Sequence, residues 1–237
     1  MSRRTSFEAF AVGPENRDGY ELARRFAGDG PASPSLLLLH GADACGKSHL
    51  LRAIELEMVQ RSYGATVRCV SAEKLGNEFL RLEPEPLLPG FRAYYRRFGM
   101  LLFDDLESLG PDPMVRAEFG AVCGALLRRG GKVCIASRKA ALKAGESDAL
   151  ATFFGASVGV AEIRPPSLEL RLTILRAATE RRGCRFTPAA LERLARQDKL
   201  DLHDMLGAAL CLGHIAKAGG RRVTCPMVVR YIRRHEG

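Results

Sequence analysis

Gly41-Ala42-Asp43-Ala44-Cys45-Gly46-Lys47-Ser48 is the stretch that decides how this chain is read. It fits the pattern G-x-x-x-x-G-K-[ST]. Glycines let the backbone curl so that successive N–H groups point at phosphate oxygens. A helix that begins at the lysine adds the positive end of its dipole. Lys47 is then placed to reach the β- and γ-phosphates of a nucleotide, and the Ser48 hydroxyl to ligate Mg²⁺. The pattern carries this meaning only between a strand and a helix, and both neighbours are legible. Ser35-Leu36-Leu37-Leu38-Leu39 is a short apolar run behind the breakers Gly28, Gly30, Pro31 and Pro34, as a buried strand requires. From Lys47 to Tyr63, Leu50, Leu51, Ile54 and Met58 recur at helical spacing, with Glu55 and Glu57 on other faces.

Further along, the same alternation repeats. Thr66 to Val70 reads as a second strand, and Ser71 as the cap of a following helix. Met100-Leu101-Leu102-Phe103 is a third strand and ends on Asp104-Asp105. An acid at a strand end is the second half of a phosphate site: Asp104 is expected to hold Mg²⁺, directly or through a water. Asp105 is expected to orient or deprotonate the attacking water, the alternative being a solvated loop acid. A helix over Pro113 to Arg129 leads to a fourth strand, Val133 to Ala136, and a weaker fifth spans Val158 to Ile163. Strands separated by helices predict an α/β P-loop fold, a parallel sheet covered on both faces. After Pro165-Pro166 the strand signals stop. Ser167, Thr187-Pro188, Asp201 and Thr224 each open a helical pattern. The expected division is therefore a nucleotide-binding α/β domain over residues 1–165 and a small all-helical domain over 166–237.

Composition bounds the rest. Apolar residues make up 46% and charged residues 27%, which excludes disorder of the whole chain. No stretch of about 18 uncharged apolar residues exists, so a membrane-spanning helix is excluded. Met1 to Glu8 has no apolar stretch of the kind a secretory signal needs, which predicts a cytoplasmic protein. The seven cysteines are spread without a C-x-x-C pair, so neither a disulfide framework nor a zinc site is expected. Cys45 lies within the loop, where a helix N-terminus lowers a thiol pKa; the alternative is a simple loop filler. A net charge of +9 points to an anionic partner without saying which.

The order of motifs resembles the AAA+ ATPase domain of bacterial replication initiators of the DnaA family. Ser6 to Arg17 is similar to that family's adenine-pocket segment, with Val12, Gly13, Asn16 and Arg17 at the matching positions. His40 to Leu51 is similar to its Walker A loop and helix, which extends the nucleotide contacts to His49. Val70 to Phe79 resembles the opening of its initiator-specific helices. Phe91 to Arg97, running into Leu101-Leu102-Phe103-Asp104-Asp105, resembles its approach to Walker B. Pro165 to Arg171 resembles the opening of its helical lid. The resemblance implies binding of ATP or ADP with Mg²⁺, through Gly41, Ala44, Cys45, Gly46, Lys47 and Ser48, with Lys47 and Asp105 as catalytic groups.

Several positions depart from the family. Ala44 stands where the family has a further glycine, and is tolerated there if its φ is negative. The family's sensor-1 acid falls on Arg138, its arginine finger on Phe153 and its sensor-2 arginine on His203. Phenylalanine cannot stabilise a transferring phosphoryl group, so weak or absent ATP hydrolysis is expected. Arg138 either faces the γ-phosphate or is a surface arginine; His203 either bonds a phosphate or is an ordinary helix-surface histidine. The chain stops where the family's lid leads into a helix-turn-helix domain, so that domain is expected to be missing, as in short, Hda-like regulators. Arg92, Arg96 and Arg97, interleaved with Tyr94 and Tyr95, form either a weak single-stranded DNA contact or one face of a solvated amphipathic helix. The prolines of Leu82 to Pro89 weaken a continuous helix before them. Three readings of the whole remain open: a DnaA-like protein that regulates initiation by pairing with a full-length initiator, a loader of the replicative helicase, or a nucleotide-stabilised adaptor without turnover. A cytoplasmic location with association to the nucleoid suits all three.

Overall fold

A computed structural model of the chain describes residues 5–28, 30–61, 66–82, 87–138 and 156–235. Five strands form one sheet: β1 (Leu36–His40), β2 (Val67–Ser71), β3 (Met100–Asp104), β4 (Lys132–Ser137) and β5 (Val158–Glu162). Their order is β2-β3-β4-β1-β5, and every neighbouring pair is parallel. The central strands are the continuous apolar runs, because a parallel sheet covered on both faces hides both sides of each strand. Leu36, Leu37, Leu38 and Leu39 are all buried. The alternation expected along a strand divides them. Leu36 and Leu38 join Leu101, Phe103, Val133 and Ile135 in one core layer. That layer is completed by Leu75 of α3 (Ala72–Leu80), Phe91 and Tyr95 of α4 (Leu88–Arg96), and Val115, Val122 and Leu126 of α5 (Pro113–Arg128). Leu37 and Leu39 point the other way, to the face contacted by α1 (Arg17–Phe26) and α2 (Lys47–Arg61).

Caps fix where the helices start. The Ser71 hydroxyl accepts from the Lys74 amide at 3.2 Å, as its position at a strand end leads one to expect. Asp112 accepts from the Met114 and Val115 amides at 2.7 and 3.3 Å, with Pro113 at the first helical position. Such a cap contributes about 1 kcal/mol. α3 ends at Leu80, and α4 opens at Leu88 with Pro89 in its first turn, where a missing N–H costs nothing.

From Pro165 onward the chain is helical: α6 (Leu168–Glu180), α7 (Pro188–Ala195), α8 (Leu202–Ala218) and α9 (Cys225–His235). Ser167, Thr187 and Asp201 each cap their helix through the side chain. These helices enclose their own core of Leu175, Leu191, Leu194, Met205, Leu212, Val228 and Ile232. The structure divides into two compact units. One holds the residues up to Phe10, Asn16–Ala42 and Gly46–Arg164; the other holds Ala11–Glu15, Asp43–Cys45 and the residues from Pro165 on. Among the described residues, no helix is long and apolar enough to cross a membrane.

Candidate nucleotide-binding site

The strand order sets the geometry. β4 lies between β1 and β3, and all three run the same way, so their carboxyl ends share one edge of the sheet. Ligands of open α/β sheets bind outside that edge. From β1 leaves the loop that leads into α2; from β3 leave Asp104 and Asp105; from β4 leave Ser137 and Arg138.

The loop is bent as a phosphate cradle requires. Gly41 has φ +152° and Gly46 φ +110°. A side chain at Gly46 would also meet the Phe10 ring at 3.0 Å, so the position needs glycine for both backbone and space. Ala44 departs from expectation: its φ is +55°, not negative. The loop holds this alanine in the left-handed region because its curl is set by the strand and helix at its two ends. The cost is about 1–2 kcal/mol relative to an ordinary conformation. Ala44 is half-buried, and Cys45 beside it is buried.

Lys47 begins α2 and is 92% hidden from solvent, an unusual position for an ammonium. Its Nζ donates to the Gly41 and Ala42 carbonyls at 2.7 and 2.6 Å, which satisfies the charge inside the loop. The exposed Ser48 hydroxyl donates to Asp104 Oδ1 at 3.1 Å. A residue from the first turn of α2 and one from the end of β3, fifty-six positions apart, thus converge. A hydroxyl and a carboxylate are hard oxygen donors that suit Mg²⁺. Among the described residues no cluster of three or more His, Cys, Asp or Glu could hold a metal. Two such oxygen donors fit the manner usual for Mg²⁺, which takes one or two protein oxygens.

His49 follows on α2. Its Nε2 lies 3.0 Å from the Ser6 carbonyl, and its ring meets Phe10 edge-on at 5.1 Å. Phe10 in turn stacks on Tyr20 of α1 with centroids 5.7 Å apart. These contacts tie the N-terminal segment to the helix that carries Lys47. Asn16, just before α1, is buried, and its carbonyl accepts from the Tyr20 amide at 2.9 Å; Arg17 is exposed. Val12 is exposed, whereas Gly13 is buried so closely that a side chain there would meet Leu170 at 3.1 Å. His203 is exposed in the first turn of α8. Phe153 lies outside the described residues.

Two acids shape the β3 end. Asp105 has φ +52°, a conformation aspartate tolerates better than most residues. It opens a short 3-10 turn, Leu106–Leu109, whose Ser108 amide and hydroxyl both donate to the Asp105 carbonyl, at 3.0 and 2.6 Å. The second acid, Glu107, is one the sequence reading passed over. Its Oε1 accepts from the Ser137 hydroxyl and from the Arg138 amide, both at 2.8 Å. The only sequence signal was a further acid three residues past the strand end. Arg52 was likewise missed. One turn past Ser48 on α2, it pairs with Glu55 at 3.1 Å and adds positive charge near Asp104.

The three candidate DNA-contacting arginines are not equivalent. Arg92 donates from Nε and Nη2 to the two oxygens of Glu118, at 2.8 and 2.6 Å. Arg97 lies over the Tyr94 ring at 4.9 Å, and Arg96 is exposed. Of the two tyrosines, Tyr95 is a core residue whose hydroxyl donates to Glu78 at 2.7 Å; burial and that acid push its pKa upward.

The chain is similar to known replication initiators. The chromosomal replication initiator protein DnaA of Thermus thermophilus is 28% identical over 225 residues, covering 94% of this chain and 51% of that protein. The chain spans about half the length of the curated relatives it matches. Domain III of the Thermotoga maritima DnaA has the same fold, with a TM-score of 0.86 at 27% identity over 98% of this chain and 97% of that one. A DnaA structure bound to AMPPCP and single-stranded DNA matches with a TM-score of 0.75 at 22% identity, over 89% of this chain and 65% of that one. The family model of the bacterial DnaA ATPase domain matches residues 1–159, and the chain belongs to that family.

Proposed function

We propose that this chain binds ATP or ADP with Mg²⁺ and uses the bound nucleotide to regulate or assist the initiation of DNA replication, with little hydrolysis of its own. One observation carries the reading: the buried Lys47 ammonium sits in the Gly41–Gly46 loop beside the Ser48–Asp104 contact. The loop amides and Lys47 would bind the β- and γ-phosphates, and Ser48 and Asp104 would hold the metal. Bound Mg²⁺ supplies neutralisation of the phosphate charge as it develops. His49, Asn16, Arg17, Val12 and Gly13 would border the base, by analogy with the family segment they match. The DnaA relative seen with AMPPCP and single-stranded DNA supports a nucleotide ligand and a nucleic-acid partner.

Asp105 is the group that would accept a proton from the attacking water. Phe153 at the family's finger position supports slow turnover, because phenylalanine offers no charge to the transferring phosphoryl group. Regulation would then run through pairing with a full-length DnaA-type initiator in the cytoplasm at the nucleoid. DNA contact would be weak and fall to Arg96 and Arg97, since Arg92 already carries a two-armed bond to Glu118.

The test is ATP and ADP affinity with Mg²⁺, and turnover, for the chain alone and mixed with a full-length DnaA-type initiator. Binding, slow intrinsic turnover and a stable complex with the initiator are expected. Turnover of about 1 s⁻¹ or faster by the isolated chain, within the ordinary enzymatic range, would refute the slow-hydrolysis part. Capture of the replicative helicase in place of the initiator would refute the partner.

A further inference from the structure

Arg138 stands where the family's sensor-1 acid falls, and the structure gives it definite neighbours. Its Nε is 3.5 Å from Asp105 Oδ1 and 3.8 Å from Glu107 Oε2. Its backbone is held in place from the same side, because the Arg138 amide and the preceding Ser137 hydroxyl both donate to Glu107 Oε1. Asp105 is held too, through its carbonyl on the Ser108 amide and hydroxyl. β4 lies between the loop-bearing β1 and the acid-bearing β3, so this guanidinium emerges at the middle of the edge that carries Lys47, Ser48 and Asp104.

We propose that Arg138 is a positioning residue that restrains hydrolysis by holding Asp105. The inference rests on the nucleotide-binding reading above. In hydrolysis the water oxygen bonds the γ-phosphorus as the bond to the bridging β-phosphate oxygen breaks; ADP leaves, and the water proton passes to the carboxylate and then to solvent. A general base serves that step only with an oxygen within hydrogen-bond reach of the water and aimed at it. A guanidinium 3.5 Å from Asp105 Oδ1 competes with the water for that oxygen and draws it toward β4. Glu107 is the anchor that keeps Arg138 in reach. The family's acid at this position cannot pair with Asp105, so the restraint belongs to this chain's own substitution.

The experiment compares the full-length 237-residue wild type with Arg138→Ala, Arg138→Lys and the double variant Asp105→Asn/Arg138→Ala, reading ATP affinity by calorimetry and hydrolysis in single-turnover assays. Both side chains are about half exposed, 47% and 48%, so Arg138→Ala is expected to raise hydrolysis a few-fold, the range an ion pair open to water can withhold, with ATP affinity unchanged. Arg138→Lys keeps the charge without the Nε placement and falls between. The double variant loses the gain, which a merely structural role of Arg138 would not produce. In the nucleotide-free and metal-free protein, the Arg138 Nε–H NMR resonance is expected to move on Asp105→Asn. Unchanged or lower hydrolysis in Arg138→Ala that still binds ATP, or a resonance indifferent to Asp105→Asn, overturns the proposal and leaves the nucleotide reading standing. Failure of the wild type to bind ATP overturns both.

Discussion

Removing Arg92 tests whether the candidate DNA-contacting arginines are structural or functional. Its guanidinium joins α4 to α5 by two parallel hydrogen bonds to Glu118. The Glu118 side chain is only 5% exposed, while that of Arg92 is 44% exposed. Breaking a fully buried pair from one side costs about 3–5 kcal/mol, because the remaining charge stays buried and uncompensated. Here the arginine side of the pair is open to water, which screens part of that loss. Arg92→Ala should therefore destabilise by about 2 kcal/mol. For a chain of this length that lowers Tm by roughly 4–8 °C. Adding Glu118→Gln should recover at least half of the loss, since the orphaned charge is then gone. The assay is thermal and urea unfolding of the four members of the cycle, followed by circular dichroism. A change within about 0.5 kcal/mol for Arg92→Ala, the range of an ordinary surface site, would refute the reasoning and return Arg92 to the pool of phosphate contacts.

Ala44→Gly should relieve the left-handed strain at φ +55°, worth about 1–2 kcal/mol. Against that stands about 0.4–1 kcal/mol of added chain entropy, so a net gain of about 0.5–1 kcal/mol in urea unfolding is expected; a loss would contradict it. Arg96→Glu with Arg97→Glu should weaken single-stranded DNA binding and flatten its salt dependence by about 0.7 per lost phosphate contact, while ATP affinity holds. Equal binding by the variant in filter-binding titrations would count against the α4 surface. Burial pushes the Cys69 thiol up to about 11, with Arg52 opposing it, and burial raises Cys123 and Cys134 as well. In the unfolded chain a thiol ionises near 9.0, so the stabilisation from a neutral Cys69 is complete below pH 9 and is lost as pH rises through about 11. Cys69→Ala should flatten that alkaline loss, and a thiol reagent at pH 8 should modify exposed Cys211 well before the other three.

Much of the fold was legible because burial on both faces writes itself as apolar runs. Leu36–Leu39, Met100–Phe103 and Val133–Ala136 became β1, β3 and β4 within a residue or two. The helix α1 was not read. Its inward face is Gly19, Ala23 and Phe26, two of them too small to register as an apolar stripe. Gly19 is there because a side chain would meet Ile163 at 2.0 Å, a tertiary reason invisible in periodicity. The loop, Lys47, Ser48 and Asp104 were legible because each is fixed by motif spacing. The sign of φ at Ala44 was not, since alanine itself favours the other region and only the closed loop imposes this one. Arg138 was visible as an oddity, but its partners Asp105 and Glu107 depend on β4 lying beside β3, which no local pattern states.

The most direct measurement is ATP affinity of Lys47→Ala against wild type, by calorimetry with Mg²⁺ and alongside a thermal melt. Lys47 is the cation buried in the loop, and its loss removes one or two charge-assisted hydrogen bonds of about 1.5–3 kcal/mol each. A fall in affinity of at least about tenfold, and toward 10³-fold or more if both bonds go to phosphate, with the fold retained, is the expected result. A folded Lys47→Ala protein that binds ATP as tightly as wild type would contradict the assignment of this loop as the nucleotide site.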